Sequence, residues 1–442
     1  MLKGWQKISV LMFSSMLLIA ATSLPAAMPK PASVLSVIVC IPAVILCLSK
    51  ESRKKQTLRY AGGIFAICIP LLGTSVDALQ LLGAMGRFLT VMCLLVGVSL
   101  FRHSLTRSGL SAVVSNQLIK QPGDPLNTIR VSLATMALTL FTSLGAISMM
   151  GAVCGPQVKN RLGISRVTMR SLCASMFILP TTVASASIAA AIPHLDSGAV
   201  LLLGMPLALF VVVGAMTPRL DIEEGSRKGL GVNKVKPIVL AVLVALSGGI
   251  FYAATSALTL AFAFAMVLGY GLELVALSDG KASQAIVKEL PTSIDGIMPE
   301  LLLLAASSLL IFTIQHFDLA TYLPDVIRLA LRNPYAVGVL LVFVLPAVTV
   351  LGVHPMILFG LFFPLVDAVV LGPTYVQYLA WTTMFVMANL LSPVSICAIL
   401  AATSLQVSSR ETSYVSNWKF CALGMVIAYV YLLTLLSLHS SH

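Results

Sequence analysis

The sequence predicts an all-α integral membrane protein with about eleven transmembrane helices and two re-entrant hairpins, arranged as two inverted-topology repeats. Three observations predict this fold class: the composition, the series of long apolar segments, and a match between the two halves of the chain. Of the 442 residues, 58% are hydrophobic and only 10% are charged, whereas a soluble domain carries about 25% charged residues. Water is therefore not the solvent for most of this chain.

Long apolar segments follow one another from residue 8 to residue 438, and a spanning helix needs about 20 apolar residues. Segments 128–155 and 334–368 are interrupted by Gly or Pro, which favours re-entrant hairpins over single helices. Stretches 104–121 and 318–332 carry charges and are typical of amphipathic helices in the membrane interface. The predicted spans cover residues 8–27, 31–49, 61–76, 84–101, 168–192, 197–215, 237–254, 256–277, 298–316, 376–404 and 418–438.

The basic residues indicate the orientation in the membrane. The net charge is +12, but the Lys and Arg residues form no Arg-rich arm that would bind nucleic acid. Most of them lie in loops 50–59, 102–130, 157–167 and 217–236, and cytoplasmic loops are enriched in these residues. We therefore expect a multi-pass protein of the bacterial cytoplasmic (inner) membrane, with the N-terminus in the cytoplasm and the C-terminus outside.

The N-terminal segment has a basic start, an apolar middle and an alanine-rich end, which a cleaved signal peptide shares. Its apolar run is long for a signal peptide, and another span follows at once. A retained first transmembrane helix is therefore favoured. The eight cysteines lie in or beside apolar segments, with no CxxC pair, and are expected to be reduced packing residues.

An internal repeat links the two halves. Residues 142–150 (TSLGAISMM) match residues 349–357 (TVLGVHPMI), and Pro180 and Pro393 fall in a second match further along. The order of spans, hairpin and Pro-broken span is the same around both matches, but the spans before the two hairpins run in opposite directions. The repeats are therefore predicted to be inverted. The predicted domains are the N-terminal transmembrane helix at 1–30, repeat 1 at 31–216, a cytoplasmic linker at 217–236 and repeat 2 at 237–442.

The breaks in these segments predict a binding site. Hydrocarbon cannot satisfy the backbone groups that a break frees, so breaks persist where they line a cavity or bind something. Pro355, Pro180 and Pro393 stand where second half-helices would begin. Ser392, just before Pro393, is a predicted N-cap. The exposed N–H groups and positive ends of such half-helices attract anions.

Inverted repeats with discontinuous helices are the architecture of secondary transporters. We therefore expect transport of a small organic anion or zwitterion by alternating access, coupled to Na⁺ or H⁺, with no catalytic residue and no cofactor. Carbonyl groups near Ser143, Gly145, Thr349 and Gly352 are candidate ligands for a coupling Na⁺. The candidate substrate-binding residues are Ser143, Gly145, Ser148, Thr181, Thr182, Gly352, His354, Asn389, Ser392 and Ser395.

His354 is the only ionisable residue at a predicted hairpin tip. Ionisable residues inside the membrane are functional hypotheses by default, and His titrates near physiological pH. Three roles stay open from the sequence: a proton-coupling group, a hydrogen-bond donor to the substrate, or a neutral side chain bonded to a nearby carbonyl.

This arrangement resembles the ion transporter superfamily and is similar in topology to its divalent anion:sodium symporter family, which also has eleven spans and two hairpins entering from opposite faces. The resemblance covers residues 31–438 and implies a homodimer in which the hairpin-bearing bundle moves against a scaffold. The family has Ser-Asn-Thr motifs at its hairpin tips. This chain departs from them, with Thr142-Ser143-Leu144-Gly145 and Thr349-Val350-Leu351-Gly352.

Other membrane functions make different demands on the sequence. A Na⁺/H⁺ antiporter needs a membrane-centre carboxylate, and no Asp or Glu accompanies the breaks. A membrane-embedded transferase acting on a lipid-linked substrate would use a polar cluster, for which His103 with Arg102 and His316 with Asp318 are the candidates. The membrane subunit of a binding-protein-dependent carrier is the remaining alternative.

Overall fold

The computed structural model of the chain describes residues 55–107, 126–154, 158, 160–178, 182–218, 220, 265, 267, 270, 300–367 and 369–440. These residues form helices and the turns that join them, and no strand occurs among them. The predicted spans 8–27, 31–49 and 237–254, and most of 217–236 and 256–277, lie outside the described residues.

The helices in chain order are α1 (Lys55–Gly73), α2 (Ala78–Met85), α3 (Leu89–Arg107), α4 (Leu126–Thr142), α5 (Gly145–Cys154), α6 (Arg161–Ser175), α7 (Val183–Ala191), α8 (Ser197–Ala215), α9 (Glu300–His316), α10 (Asp325–Leu331), α11 (Pro334–Thr349), α12 (Pro355–Phe362), α13 (Thr374–Leu391), α14 (Ile396–Leu405) and α15 (Ser416–Ser440). A 3₁₀ turn lies at Leu319–Tyr322, and π-helical turns lie within α11 at Leu340–Val344 and before α15 at Glu411–Val415.

The described helices belong to two compact units. The first unit contains α1, α2, α3 and α9, and the second contains α4 to α8 and α10 to α15. Each unit takes helices from both halves of the sequence. All of the breaks that the sequence singles out lie in the second unit. The predicted repeat boundaries divide the chain differently and stay a prediction.

Three helical segments of the described part are long and apolar enough to cross a membrane: Ser197–Ala215, Thr374–Leu405 and Glu411–His439. A fourth is added if α10 and α11 count as one bent span. Their outer faces carry large apolar side chains, such as Leu202 and Leu209 of α8, which are 71% and 64% exposed. Apolar side chains on an outer face suit a lipid environment. The protein is therefore a membrane protein, while the count of eleven spans stays a prediction.

In the first unit, side chains satisfy the polar groups at helix ends. The Asp77 carboxylate caps α2 by accepting a backbone N–H at 2.7 Å. The Ser308 hydroxyl of α9 donates to the carbonyl oxygen of Ala84 in α2. The Arg87 guanidinium donates to the side-chain oxygen of Gln315 at 3.1 Å. These bonds join α9 to the end of α2 and to the segment that follows it.

The same order of long and short helices occurs two times in the second unit. Helices α4, α5, α6, α7 and α8 alternate long and short, and α11, α12, α13, α14 and α15 do the same. The two sets interleave, because α14 packs against α5 and α6 while α7 packs against α13. Each first pair is separated by a residue in the left-handed region, Ser143 (φ 47°) in one set and Gly352 (φ 95°) in the other. The inversion of the two sets in the membrane stays a prediction, as do the re-entrant hairpins.

Helix α10 lies in the stretch that the sequence predicts as an interfacial helix. It is bent by 84° from α11. Its side chains Val326 and Leu329 are 80% and 72% exposed. Asn333 begins α11 by accepting the backbone N–H groups of Tyr335 and Ala336. A sharp bend before a long apolar helix is the geometry that an interfacial helix requires.

The prolines at the breaks follow the prediction in one case and not in another. Pro355 occupies the first position of α12, as predicted. Pro393 does not begin α14, which starts at Ile396, and the N-cap is Ser395 and not Ser392. Ser395 takes this role because its hydroxyl both accepts the Ala398 N–H and donates to a carbonyl of α13. Pro180 lies outside the described residues.

Candidate functional site

The turn between α4 and α5 presents the hydroxyl of Ser143. Its backbone N–H donates to the carbonyl oxygen of Thr139 at 2.9 Å, and its own carbonyl accepts the Ala146 N–H at 3.2 Å. Ser143 is 3% exposed, and its Oγ has no hydrogen-bond partner. A non-glycine residue at φ 47° carries backbone strain of about 1–3 kcal/mol. This turn therefore combines a strained backbone with a buried, unpaired hydroxyl.

The turn between α11 and α12 presents the imidazole of His354. Gly352 provides the left-handed backbone there, and its N–H donates to the carbonyl oxygen of Thr349 at 3.0 Å. The His354 Nδ1 accepts the Met356 N–H at 3.1 Å, which makes His354 the N-cap of α12. Its Nε2 has no hydrogen-bond partner, although the residue is only 6% exposed. The Thr349 hydroxyl is occupied, because it donates to the Pro346 carbonyl.

The break between α13 and α14 presents the hydroxyl of Ser392. This residue is fully buried, and its Oγ has no hydrogen-bond partner. Ser395 nearby is engaged in both directions, accepting the Ala398 N–H at 3.2 Å and donating to the Asn389 carbonyl at 2.9 Å. The side-chain amide of Asn389 makes no hydrogen bond to a described residue.

Side chains satisfy backbone groups at the described helix ends on either side of the break between α6 and α7. Thr182 and Ser185 form a capping box, in which each hydroxyl accepts the other residue's backbone N–H. The Tyr378 hydroxyl of α13 donates at 2.9 Å to the carbonyl oxygen of Met176, which the end of α6 frees. The Thr182 hydroxyl therefore stabilises the start of α7, and Thr181 lies outside the described residues.

These contacts sort the candidate residues. Thr182, Ser395 and Thr349 use their hydroxyls in capping or turn bonds, whereas Ser143, His354 and Ser392 each hold a buried polar atom without a partner. Packing relates the latter three: α5, after Ser143, packs against α14, and α12, after His354, packs against α13. Gly145 is buried at the start of α5, and Ser148 is half-buried one turn later.

The N-terminus of α12 differs from the sequence prediction. We expected exposed backbone N–H groups, but side chains and carbonyls of the breaks themselves satisfy several of them. At α12, Pro355 has no N–H, Met356 donates to the imidazole of His354, and Ile357 donates to the His354 carbonyl. At this helix start the unpaired polar atom is therefore Nε2 of the His354 side chain.

Arg170 of α6 is a residue that the sequence analysis missed. It is 6% exposed, and among the described residues of the second unit it is the only buried Arg, Lys, Asp or Glu. Its guanidinium donates to Asn417 Oδ1 at 2.9 Å, to the Gly214 carbonyl at 2.7 Å and to the Ser416 carbonyl at 3.3 Å. Its Cζ also lies 4.3 Å from the ring centroid of Phe420. The sequence signal was a cation within the predicted span 168–192.

The partners of Arg170 are helix ends. Gly214 lies in the last turn of α8, where carbonyl oxygens lack partners and the helix dipole is negative. Asn417 donates its amide N–H groups to the carbonyls of Thr412 and Ser413 in the π-helical turn. Arg170 and Asn417 together satisfy carbonyls that the end of α8 and this kink leave free.

The described residues contain no group of three or more His, Cys, Asp or Glu side chains that would hold a metal ion. The Na⁺ ligands expected from the sequence are carbonyl oxygens, and a Na⁺ site near Gly352 stays a prediction. His316 stacks on Phe312, with ring centroids 5.6 Å apart, and meets Phe317 edge-on. The side chains of Arg102 and His103 lie outside the described part.

Comparison with solved structures identifies a protein of similar fold. The chain is similar to the structure of the YdaH transporter from Alcanivorax borkumensis, with a TM-score of 0.53, 14% sequence identity, and coverage of 87% of this chain and 97% of that one. At this identity the similarity is one of fold. No protein-family profile and no curated protein matches the sequence. The resemblance to the divalent anion:sodium symporter family stays a prediction.

Proposed function

We propose that this protein is a secondary active transporter that carries a small organic anion or zwitterion across the cytoplasmic membrane. Transport is by alternating access, as a symporter driven by Na⁺ or H⁺, and the protein is a homodimer and not an enzyme. One observation carries the proposal: Ser143, His354 and Ser392, each at a break between helices, hold buried polar atoms that have no partner.

Buried polar groups normally find partners, because an unpaired one costs about 1–3 kcal/mol. Unpaired groups at three separate breaks in one unit are best accounted for by a ligand that completes their hydrogen bonds. The two hydroxyls and the imidazole N–H can all donate. Donors without acceptors favour a substrate rich in acceptor oxygens, such as a carboxylate.

The charges of the second unit point the same way. Its only buried formal charge among the described residues is the cation Arg170, and no buried Asp or Glu accompanies it there. A buried carboxylate is the group that would hold a cationic substrate inside the membrane. An anionic or zwitterionic substrate therefore fits the described residues better than a cationic one.

The proposal is tested by uptake into proteoliposomes that contain the purified protein. The probes are radiolabelled succinate, benzoate and glutamate, with choline as the cationic control, each measured with imposed Na⁺ or H⁺ gradients. We expect saturable, gradient-driven uptake of at least one of the anionic probes and none of choline. Uptake of no probe above protein-free vesicles would overturn the proposal.

Replacing Ser143 by Gly separates binding from folding. Glycine adopts a φ of 47° without strain, and the change also removes a buried unpaired hydroxyl. We expect the free energy of unfolding of Ser143→Gly to exceed that of wild type by about 1 kcal/mol or more. The KM for uptake should rise roughly tenfold. A variant that is more stable and transports with the wild-type KM would remove Ser143 from the site.

Replacing Ser392 by Ala makes the same test at the break between α13 and α14. Because this buried hydroxyl has no partner in the protein, its loss should leave the thermal unfolding midpoint at or above that of wild type and raise the KM for uptake. The matched control is Ser187→Ala, a fully buried serine of α7 whose hydroxyl donates to its own helix at Val183. Equal KM values for the Ser392 and Ser187 variants would contradict the assignment.

A further inference from the structure

The contacts of His354 determine which of its nitrogen atoms carries hydrogen. Nδ1 accepts the Met356 backbone N–H at 3.1 Å, so this nitrogen holds a lone pair. In a neutral imidazole the hydrogen is then on Nε2, which becomes a donor. That Nε2 is buried and has no partner. His354 is therefore a fixed hydrogen-bond donor whose acceptor is not part of the described protein.

The surroundings of His354 oppose a second proton. A proton on Nδ1 would break the bond to Met356, and an imidazolium would lie at the positive end of the α12 dipole. Helices α11 and α13, which pack against α12, contain no Asp, Glu, Lys or Arg. Their titratable residues are Tyr335, Tyr375 and Tyr378. No carboxylate on these helices would stabilise an imidazolium.

We infer that His354 is the specificity-determining donor of the site, whose Nε2–H holds an oxygen of a substrate carboxylate, and that it does not carry the coupling proton. This inference rests on the proposed function and names its substrate class. A carboxylate is acceptor-only, so it pairs with the imidazole N–H and with the hydroxyls of Ser143 and Ser392. An ammonium group has only donors and would leave Nε2–H unpaired, and such a mismatch rejects a ligand strongly.

Two substitutions separate the two roles of His354, which caps α12 through Nδ1 and donates through Nε2. Asn at position 354 keeps a side-chain oxygen for the Met356 N–H and retains an amide donor, whereas Ser keeps the capping oxygen and loses the second donor. The probes are succinate, benzoate and glutamate in proteoliposomes, with KM and maximal rate measured separately and thermal unfolding as the folding control. We expect His354→Ser to raise KM roughly tenfold to a hundredfold, and His354→Asn, whose shorter side chain keeps a donor short of the Nε2 position, to raise it less. Both variants should unfold near the wild-type midpoint.

The outcomes distinguish this inference from the proposed function. Uptake of no anionic probe by wild type would overturn both. Wild-type uptake together with an unchanged KM in His354→Ser would overturn the donor role and leave transport standing. Acid-driven uptake that wild type shows and His354→Asn loses would identify His354 as the proton carrier and overturn the inference, since Asn does not titrate.

Discussion

Replacing Arg170 by Met is expected to lower the free energy of unfolding by about 3 kcal/mol or more. The substitution leaves the buried Asn417 Oδ1 without its donor, and it removes one donor each from the carbonyls of Gly214 and Ser416. It also removes the contact with the Phe420 ring. Arg170→Lys should recover part of the loss, because an ammonium retains the charge but cannot reach the same acceptors with a planar fork.

The buried thiols of the second unit provide the measurement. Cys154, Cys173, Cys397 and Cys421 are all buried, as are Cys68 and Cys93 of the first unit, so a thiol-reactive fluorophore reports unfolding on heating in detergent. We expect the unfolding midpoint of Arg170→Met to fall by about 10 °C. The matched control is Arg161→Met on the same helix, an exposed arginine that donates to the end of α14 and should cost under about 1 kcal/mol.

A double-mutant cycle tests whether Arg170 and Asn417 act together. Groups that share a hydrogen bond show non-additive losses. Arg170→Met with Asn417→Leu should therefore cost less than the sum of the two single changes. Additive losses of stability, or an unfolding midpoint of Arg170→Met equal to that of Arg161→Met, would show that Arg170 does not stabilise the helix ends.

Replacing Gly204 by Ala is expected to cost about 3 kcal/mol. Helix α8 contacts the turn after α6 at this residue, and a Cβ there would overlap the backbone carbonyl oxygen of Phe177. A backbone group cannot rotate away as a side chain can, so α8 must move away from Phe177. Small residues allow such close approach between membrane helices. The thiol-exposure assay should show a lower midpoint.

Gly62→Ala is the matched control for this steric effect. A Cβ at Gly62 meets nothing within 4 Å, and Ala is favoured over Gly in a helix interior by about 0.5–1 kcal/mol. Gly62→Ala should therefore leave the unfolding midpoint unchanged or raise it slightly. If both glycine variants unfold at the wild-type temperature, the close approach of α8 to Phe177 is wrong.

The fold class follows from the sequence because its signals are local and strong. Apolar segments such as 197–215 and 418–438 are read directly from hydropathy, and they correspond to α8 and α15 of the structure. The turn at Ser143 and the turn at Gly352 were located by the match between the two halves. Both lie in the left-handed region, which neither composition nor hydropathy would have indicated.

Which hydroxyls cap helices and which stay unpaired could not be predicted from the sequence. Whether Ser392 or Ser395 caps α14 depends on which hydroxyl reaches a backbone N–H, a matter of a few tenths of an ångström. The partners of Arg170 are equally inaccessible to sequence, because Asn417 lies 247 residues away. A buried cation in a predicted span does carry a general warning of function or structure, and that warning was the available signal.

The central claim is that a substrate carboxylate binds at the breaks between these helices. The most direct measurement is an experimental density map of the wild-type protein in lipid nanodiscs with whichever of succinate, benzoate or glutamate gives the largest thermal shift. We predict density within hydrogen-bonding distance of Ser143 Oγ, His354 Nε2 or Ser392 Oγ that disappears without the anion. A map in which these three atoms are packed shut against protein side chains in every state, with the anion present, would contradict the account.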